Sequence, residues 1–242
     1  MEKKVALVMG AGDNLGSAIS KCFSNDGYTV VAARRNGEKL SPLKDDIESK
    51  GGVFYGYSLD ARKEEDVVKF IKEIEANIGA IEVAIYNIGG NIKFGITETT
   101  SQKYYKTWEM ATFGAFLTGR EVAKHMIKRK SGTIIFTGAT ASVRGGDGYS
   151  AFSGAKHAKR SLAQSMAREL GPHGIHVAHV VIDGAIDTPW IKELFQDYYN
   201  EKKAIDGLMN PNDIAGNYLW LYKQPRNAWT HEIDLRPWVE KW

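Results

Sequence analysis

A short apolar run that ends in three glycines within seven residues narrows the options of this chain more than any other feature. Val5-Ala6-Leu7-Val8-Met9 passes directly into Gly10-Ala11-Gly12-Asp13-Asn14-Leu15-Gly16, and Ser17-Ala18-Ile19 then opens a helical periodicity. A strand, a glycine turn and a helix in that order make the first half of a βαβ unit. Glycines at such a turn let a backbone approach a pyrophosphate, and the helix N-terminus adds unpaired N–H groups and positive dipole. A tight strand-to-helix turn can use the same glycines for packing alone. What raises the motif to a dinucleotide site is its place after an N-terminal strand, within a repeated pattern.

The pattern does repeat. β-Branched runs at Val5 to Met9, Thr29 to Ala33, Val53 to Tyr57, Ile81 to Tyr86, Thr133 to Phe136, Ile175 to Ile182 and Glu232 to Leu235 predict seven strands. Helical periodicity fills the gaps at Leu15 to Ser24, Glu38 to Ser49, Glu64 to Asn77, Ser101 to Ile127, Ala151 to Leu170 and Asn212 to Tyr222. Strands separated by helices need crossover connections, so the expectation is an α/β fold with a doubly wound parallel sheet. At 242 residues the chain suits one such domain, a single Rossmann-type NAD(P)-binding unit over residues 1–242. Asp187 to Asn210 is the longest stretch read as irregular and a candidate lid.

Nucleotide choice is read about twenty residues after the glycines, where an Asp or Glu would accept from a ribose 2′-hydroxyl. Ala33-Arg34-Arg35 stands there instead, and a guanidinium fork suits a 2′-phosphate. The expected cofactor is NADP(H), with NAD(H) disfavoured; Asp13 in the glycine turn counts against a phosphate beside it. With 32 Lys plus Arg against 29 Asp plus Glu, the net charge of +3 makes neither nucleic acid nor a membrane surface the expected partner. Cys22 is the only cysteine, which excludes an intrachain disulfide or cysteine metal cluster and fits a reducing, cytoplasmic setting. The chain is read as entering its first strand without an export signal. His173, His176 and His179 lack clustered carboxylates or cysteines, so no metal site is expected.

Along nearly its whole length the sequence resembles a short-chain dehydrogenase/reductase. The resemblance is carried by the glycine turn, Leu59-Asp60-Ala61, Asn87-Ile88-Gly89, Lys156, and Gly184-Ala185-Ile186-Asp187-Thr188-Pro189. It implies that Asp60 and Ala61 meet the adenine and that Asn87 lies along the cofactor ribose. It also implies that Gly184, Ile186 and Thr188 approach the nicotinamide end, and that Gly10, Gly12, Asp13, Asn14 and Leu15 border the pyrophosphate. Departures are present too: Asn14, Tyr86 and Asp183 stand where this family usually has Gly, Asn and Pro.

The larger departure is chemical. The family's commonest mechanism uses Tyr-x-x-x-Lys on a helix, a Ser about thirteen residues earlier and an Asn on the preceding long helix. Here those places hold Phe152 before Lys156, Ala139 and Ala111, so only Lys156 remains of the four. Phe cannot donate a proton. Tyr149 precedes Lys156 by seven positions, a spacing that resembles a divergent enoyl-thioester reductase branch, and Thr140 lies one residue beyond Ala139. Lys156, Tyr149 and Thr140 are therefore the candidate catalytic residues, acting on a small-molecule carbonyl or a conjugated enone or enoyl substrate. The alternative is a catalytically silent NADP(H)-binding protein with a structural or sensing role. Trp238 and Trp242 near the chain end suggest a subunit contact in a homodimer or homotetramer.

Overall fold

In the computed structural model, which describes residues 4–241, every expected run pairs into one sheet. The strands are β1 (Lys4–Met9), β2 (Thr29–Arg34), β3 (Phe54–Ser58), β4 (Ala80–Tyr86), β5 (Gly132–Thr137), β6 (Ile175–Ile182) and β7 (Glu232–Leu235). They lie in the order β3-β2-β1-β4-β5-β6-β7 with all neighbours parallel. The chain winds outward from β1 to β3, returns, and continues on the other side of β1 from β4. That reversal opens a crevice at the carboxyl ends of β1 and β4, where an open α/β sheet receives its ligands.

Alternation along each strand feeds two cores. Val5, Leu7 and Met9 of β1 join one apolar cluster, and Ala6 and Val8 join the other. The first is covered by α3 (Glu64–Asn77), α5 (Gly114–Arg129) and α6 (Ser150–Leu170), through Phe70, Ile74, Leu117 and Met166 among others. The second is covered by α1 (Leu15–Asn25), α2 (Ser41–Ser49) and α9 (Pro211–Lys223), through Ile19, Phe23, Ile47 and Tyr218. Burying a large apolar side chain stabilises the fold by roughly 1.5–3 kcal/mol. Both faces are closed by helices, so the sheet presents little but its strand ends to a ligand.

Three stretches differ from the sequence expectation. The helix expected over Ser101 to Ile127 is α4 (Ser101–Trp108), a widened π turn (Glu109–Phe113) and then α5. The buried Tyr86 hydroxyl donates to the Met110 carbonyl at 2.7 Å, which supplies that widened turn with a partner from outside the helix. Gly114 lies under the same phenol, where a β-carbon would meet Tyr86 Oη at 2.2 Å. The helix expected from Glu38 begins as a 3-10 turn, Gly37–Leu40, before α2, because Pro42 sits at the start of the regular turns. The stretch Asp187 to Asn210 holds two short helices, α7 (Pro189–Leu194) and α8 (Gln196–Lys203), instead of irregular chain. Thr188 caps the first with Pro189 inside it, and Asp187 accepts from Tyr199 and Lys203 at 2.9 and 2.5 Å.

The last strand is tied to the rest by a polar cluster. Arg160 of α6 forks onto Glu232 at 2.7 and 2.6 Å, and Glu232 also bonds His179 Nδ1 of β6 at 2.9 Å. Burial drives the His179 pKa down to about 4, although Glu232 pulls the other way. An unfolded chain binds this proton below pH ~6.5, and the folded chain binds it only near 4. The stability tied to a neutral His179 is therefore complete above pH ~6.5 and is lost as the pH falls to 4. The expected difference in acid sensitivity between wild type and His179→Gln across that window is up to about 3 kcal/mol. Urea titrations at several pH values measure it; parallel curves would contradict the assignment.

Candidate active site

β1 and β4 end level with each other, with Met9 beside Tyr86 in the register. Gly10 and Asn87 then leave the sheet side by side. The Asn87 amide donates to the Gly10 carbonyl at 3.1 Å, and its backbone N–H donates to Met9 at 2.8 Å. Gly10 has φ +86°, and a β-carbon there would lie 2.6 Å from Ile88 Cγ1. At Gly16 a β-carbon would lie 2.5 Å from the Gly10 carbonyl oxygen. Those two glycines are required by packing.

Gly12 is different, since nothing lies within 4 Å of the place a β-carbon would take. No packing needs it to be bare. Its carbonyl accepts from the Ser17 N–H at 2.9 Å in the first turn of α1, a helix with no side-chain cap. Unpaired helix N–H groups beside an open backbone edge are what a pyrophosphate requires, so these residues fit a dinucleotide.

At the ends of β2 and β3 stand the residues expected to meet the adenosine half. Arg34 Nη1 donates to Asp13 Oδ1 at 2.6 Å, which ties the end of β2 to the glycine turn. Arg35 is exposed. Both oxygens of Asp60 accept from Arg62, at 2.8 and 2.6 Å, and that guanidinium holds the carboxyl below its ordinary pKa. Ala61 is buried beside it, and its carbonyl lies under Gly114.

From the glycine turn a cavity of about 940 Å³ runs past Asn87 and Lys156 to Tyr149 and Trp190, with Asn14 and Leu15 at its near end. Gly184, Ile186, Thr188 and Thr140 line it as well. Nine of the sequence-derived positions thus line one cavity, while Gly10, Gly12, Asp13, Arg34, Arg35, Asp60 and Ala61 lie outside its lining. Lys156 is buried, and its ammonium donates to the Thr137 and Gly138 carbonyls at 3.0 and 3.2 Å. Burial lowers its pKa to about 8. The Phe152 ring lies 5.6 Å from Lys156 Nζ and lines the cavity beside it.

The two candidate hydroxyls differ in commitment. Thr140 donates to Asp183 Oδ1 at 2.5 Å, so toward the cavity it can only accept. Asp183 is buried and offset by Arg236 at 3.3 Å and Arg144 at 3.9 Å. Tyr149 precedes α6, its ring 6.3 Å from Phe152, and its hydroxyl has no hydrogen-bond partner among the described residues. Ala111 lies in the π turn, where Thr112 instead fixes α6 through the Ala155 carbonyl at 2.7 Å. Asp183, Trp190 and Lys159 were not among the sequence candidates. The signal for Lys159 was available: it follows Lys156 by three positions, on the same helical face.

Comparison with known proteins gives a consistent picture. The model of the short chain dehydrogenase family matches residues 4–199. A solved short-chain dehydrogenase from Rhodopseudomonas palustris is 45% identical, with a TM-score of 0.84 over 97% of this chain and 99% of that one. The 3-oxoacyl-[acyl-carrier-protein] reductase of Bos taurus is 27% identical over 222 residues, covering 92% of each chain. A metagenomic short-chain oxidoreductase solved in complex with NADP shares the fold, with a TM-score of 0.82, 22% identity and 98% of each chain covered.

The contrast among the glycines is testable. Gly12→Ala should leave the melting temperature within about a degree and weaken dinucleotide binding about tenfold or more. Gly16→Ala should cost roughly 1–3 kcal/mol of stability through its backbone clash. Paired thermal melts and nucleotide titrations distinguish the two; equal nucleotide affinity in Gly12→Ala would remove the pyrophosphate from this edge.

Proposed function

This chain belongs to the short-chain dehydrogenase family, and we propose that it is an NADP(H)-dependent oxidoreductase acting on a small-molecule carbonyl or conjugated enone or enoyl compound. The observation that carries this reading is the cavity that joins Asn14 and Leu15, at the end of the glycine turn, to Lys156 and to the uncommitted Tyr149 hydroxyl. When bound, the dinucleotide supplies or accepts a hydride at its nicotinamide. Lys156 orients the adjoining ribose and sets a positive charge under the site. The Tyr149 hydroxyl donates to the substrate oxygen as negative charge develops there, an oxyanion role. Phe152 and Trp190 exclude water from the reacting carbon, and Thr140, polarised by Asp183, accepts from any substrate hydroxyl nearby.

NADP(H) is favoured because Arg34 and Arg35 stand where an acid would select the 2′-hydroxyl. In this reading a 2′-phosphate takes the place of Asp13 on Arg34. The replacements Phe152, Ala139 and Ala111 favour a second reading, a silent NADP(H)-binding protein. A cytoplasmic homodimer or homotetramer completes the proposal. Trp238 is 78% exposed, with its indole N–H on the Ile205 carbonyl at 3.0 Å, and offers an apolar face to another subunit. Trp242 lies outside the described residues. No helix among the described residues is long and apolar enough to cross a membrane.

Wild-type protein should bind NADPH more tightly than NADH, and the Arg34→Asp, Arg35→Asp double variant should reverse the order. Tyr149→Phe should lower turnover on a ketone and enone panel by roughly 10²- to 10⁴-fold with NADPH affinity unchanged. Full activity in Tyr149→Phe would overturn the role given to that hydroxyl; NADPH binding without turnover on either class would support the silent reading. Light scattering at micromolar concentration should report an assembly that Trp238→Ser weakens.

A further inference from the structure

Lys156 and Lys159 follow each other by one turn of α6 and are 4% and 0% exposed. The first donates to two carbonyls, Thr137 and Gly138, and the second to one, Ile88 at 3.0 Å. Among the described residues neither forms an ion pair. The ionisable groups on the packed elements offer no compensating charge. His179 of β6 is neutral, and its carboxylate partner Glu232 is engaged by Arg160. Tyr86 of β4 lies 5.4 Å from Lys159 with its hydroxyl committed to Met110. Glu109 of the π turn faces Arg62, and Glu121 of α5 is held by Arg120 and Lys124. A second ammonium here would lose its hydration and meet the charge of the first.

We propose that Lys156 and Lys159 hold one proton between them, with the charge on Lys156 at the cavity wall, and that Lys159 is a positioning residue that remains a neutral amine. Lys156 takes the charge because two carbonyls and the open cavity favour it. Lys159 keeps one N–H on Ile88, next to Asn87, and leaves a lone pair on its side of the pair. Burial lowers the Lys156 pKa to about 8 even though the Lys159 amine, as a hydrogen-bond acceptor, pulls it up, and burial sends Lys159 lower still. The charge beneath the nicotinamide-ribose position is then complete below that pH and absent well above it, where a lone exposed lysine would remain charged to ~10.4. The consequence for nucleotide binding rests on the role proposed for Lys156, whereas the shared proton rests on the two side chains alone.

The experiment uses the whole chain labelled with ¹⁵N-lysine, its Nζ signals assigned with Lys156→Met and Lys159→Met and followed from pH 6 to 10.5 without nucleotide. The expected result is a neutral Lys159 amine at pH 7 and a Lys156 ammonium that titrates near 8. In Lys159→Met the Lys156 midpoint should fall by about one pH unit, and tight NADPH binding should be lost at a correspondingly lower pH. Two ammonium signals that both stay charged through pH 9 would overturn the proposal, as would an unchanged Lys156 midpoint in Lys159→Met. If that variant does not fold, Lys159→Leu and the wild-type titration give the same decision. A pair that behaves as expected in a protein that binds no NADPH would overturn the cofactor reading and leave the shared proton standing.

Discussion

The pairing of β1 with β4 is the constraint on which the rest of this molecule depends. Because the chain reverses its winding there, the two strand ends have no helix between them, and Gly10 and Asn87 emerge as neighbours bonded to each other. The Asn87 side chain fixes the mouth of the crevice, and the Gly10 conformation turns the chain into α1. Ile88 packs against Gly10 and offers its carbonyl to Lys159, so the floor of the site and the helix carrying Lys156 are set by the same few atoms.

That arrangement gives the chain a shaped cavity with Phe152 and Lys156 in its lining. Tyr86 fills the space behind the π turn and anchors it through Met110, while Thr112 holds the turn to α6. These contacts hold Ala111 in the π turn against α6, the helix that carries Phe152. Asp183, buried beside two arginines, directs the Thr140 proton away from the cavity, and a second lysine lies behind the first.

The alternation of apolar runs and helical periodicity carried nearly all of the architecture, because both depend on neighbours in sequence. The seven strands and the glycine turn were legible for that reason. The split of the long helix was not, since it depends on a phenol arriving from β4, 24 positions away from the carbonyl it meets. The helices α7 and α8 were read as irregular because each is short and neither has a buried face to leave a periodic trace. The bareness of Gly12, as against the packed Gly10 and Gly16, appears only when the surrounding atoms are placed. Arg34 was legible as a cation at the right position, whereas its tie to Asp13 depends on a contact between residues 21 apart.

The cluster that joins Arg160, His179 and Glu232 bears on the order in which the molecule is completed. α6 and β6 leave the ribosome well before residue 232, and until β7 arrives the Arg160 guanidinium and the His179 ring lack the carboxylate they share. The helix that bears Lys156 can form early, but its final seating waits for the last strand. A chain without β7 holds the glycine turn, the two lysines and Tyr149, yet leaves α6 and β6 without the carboxylate that ties them together.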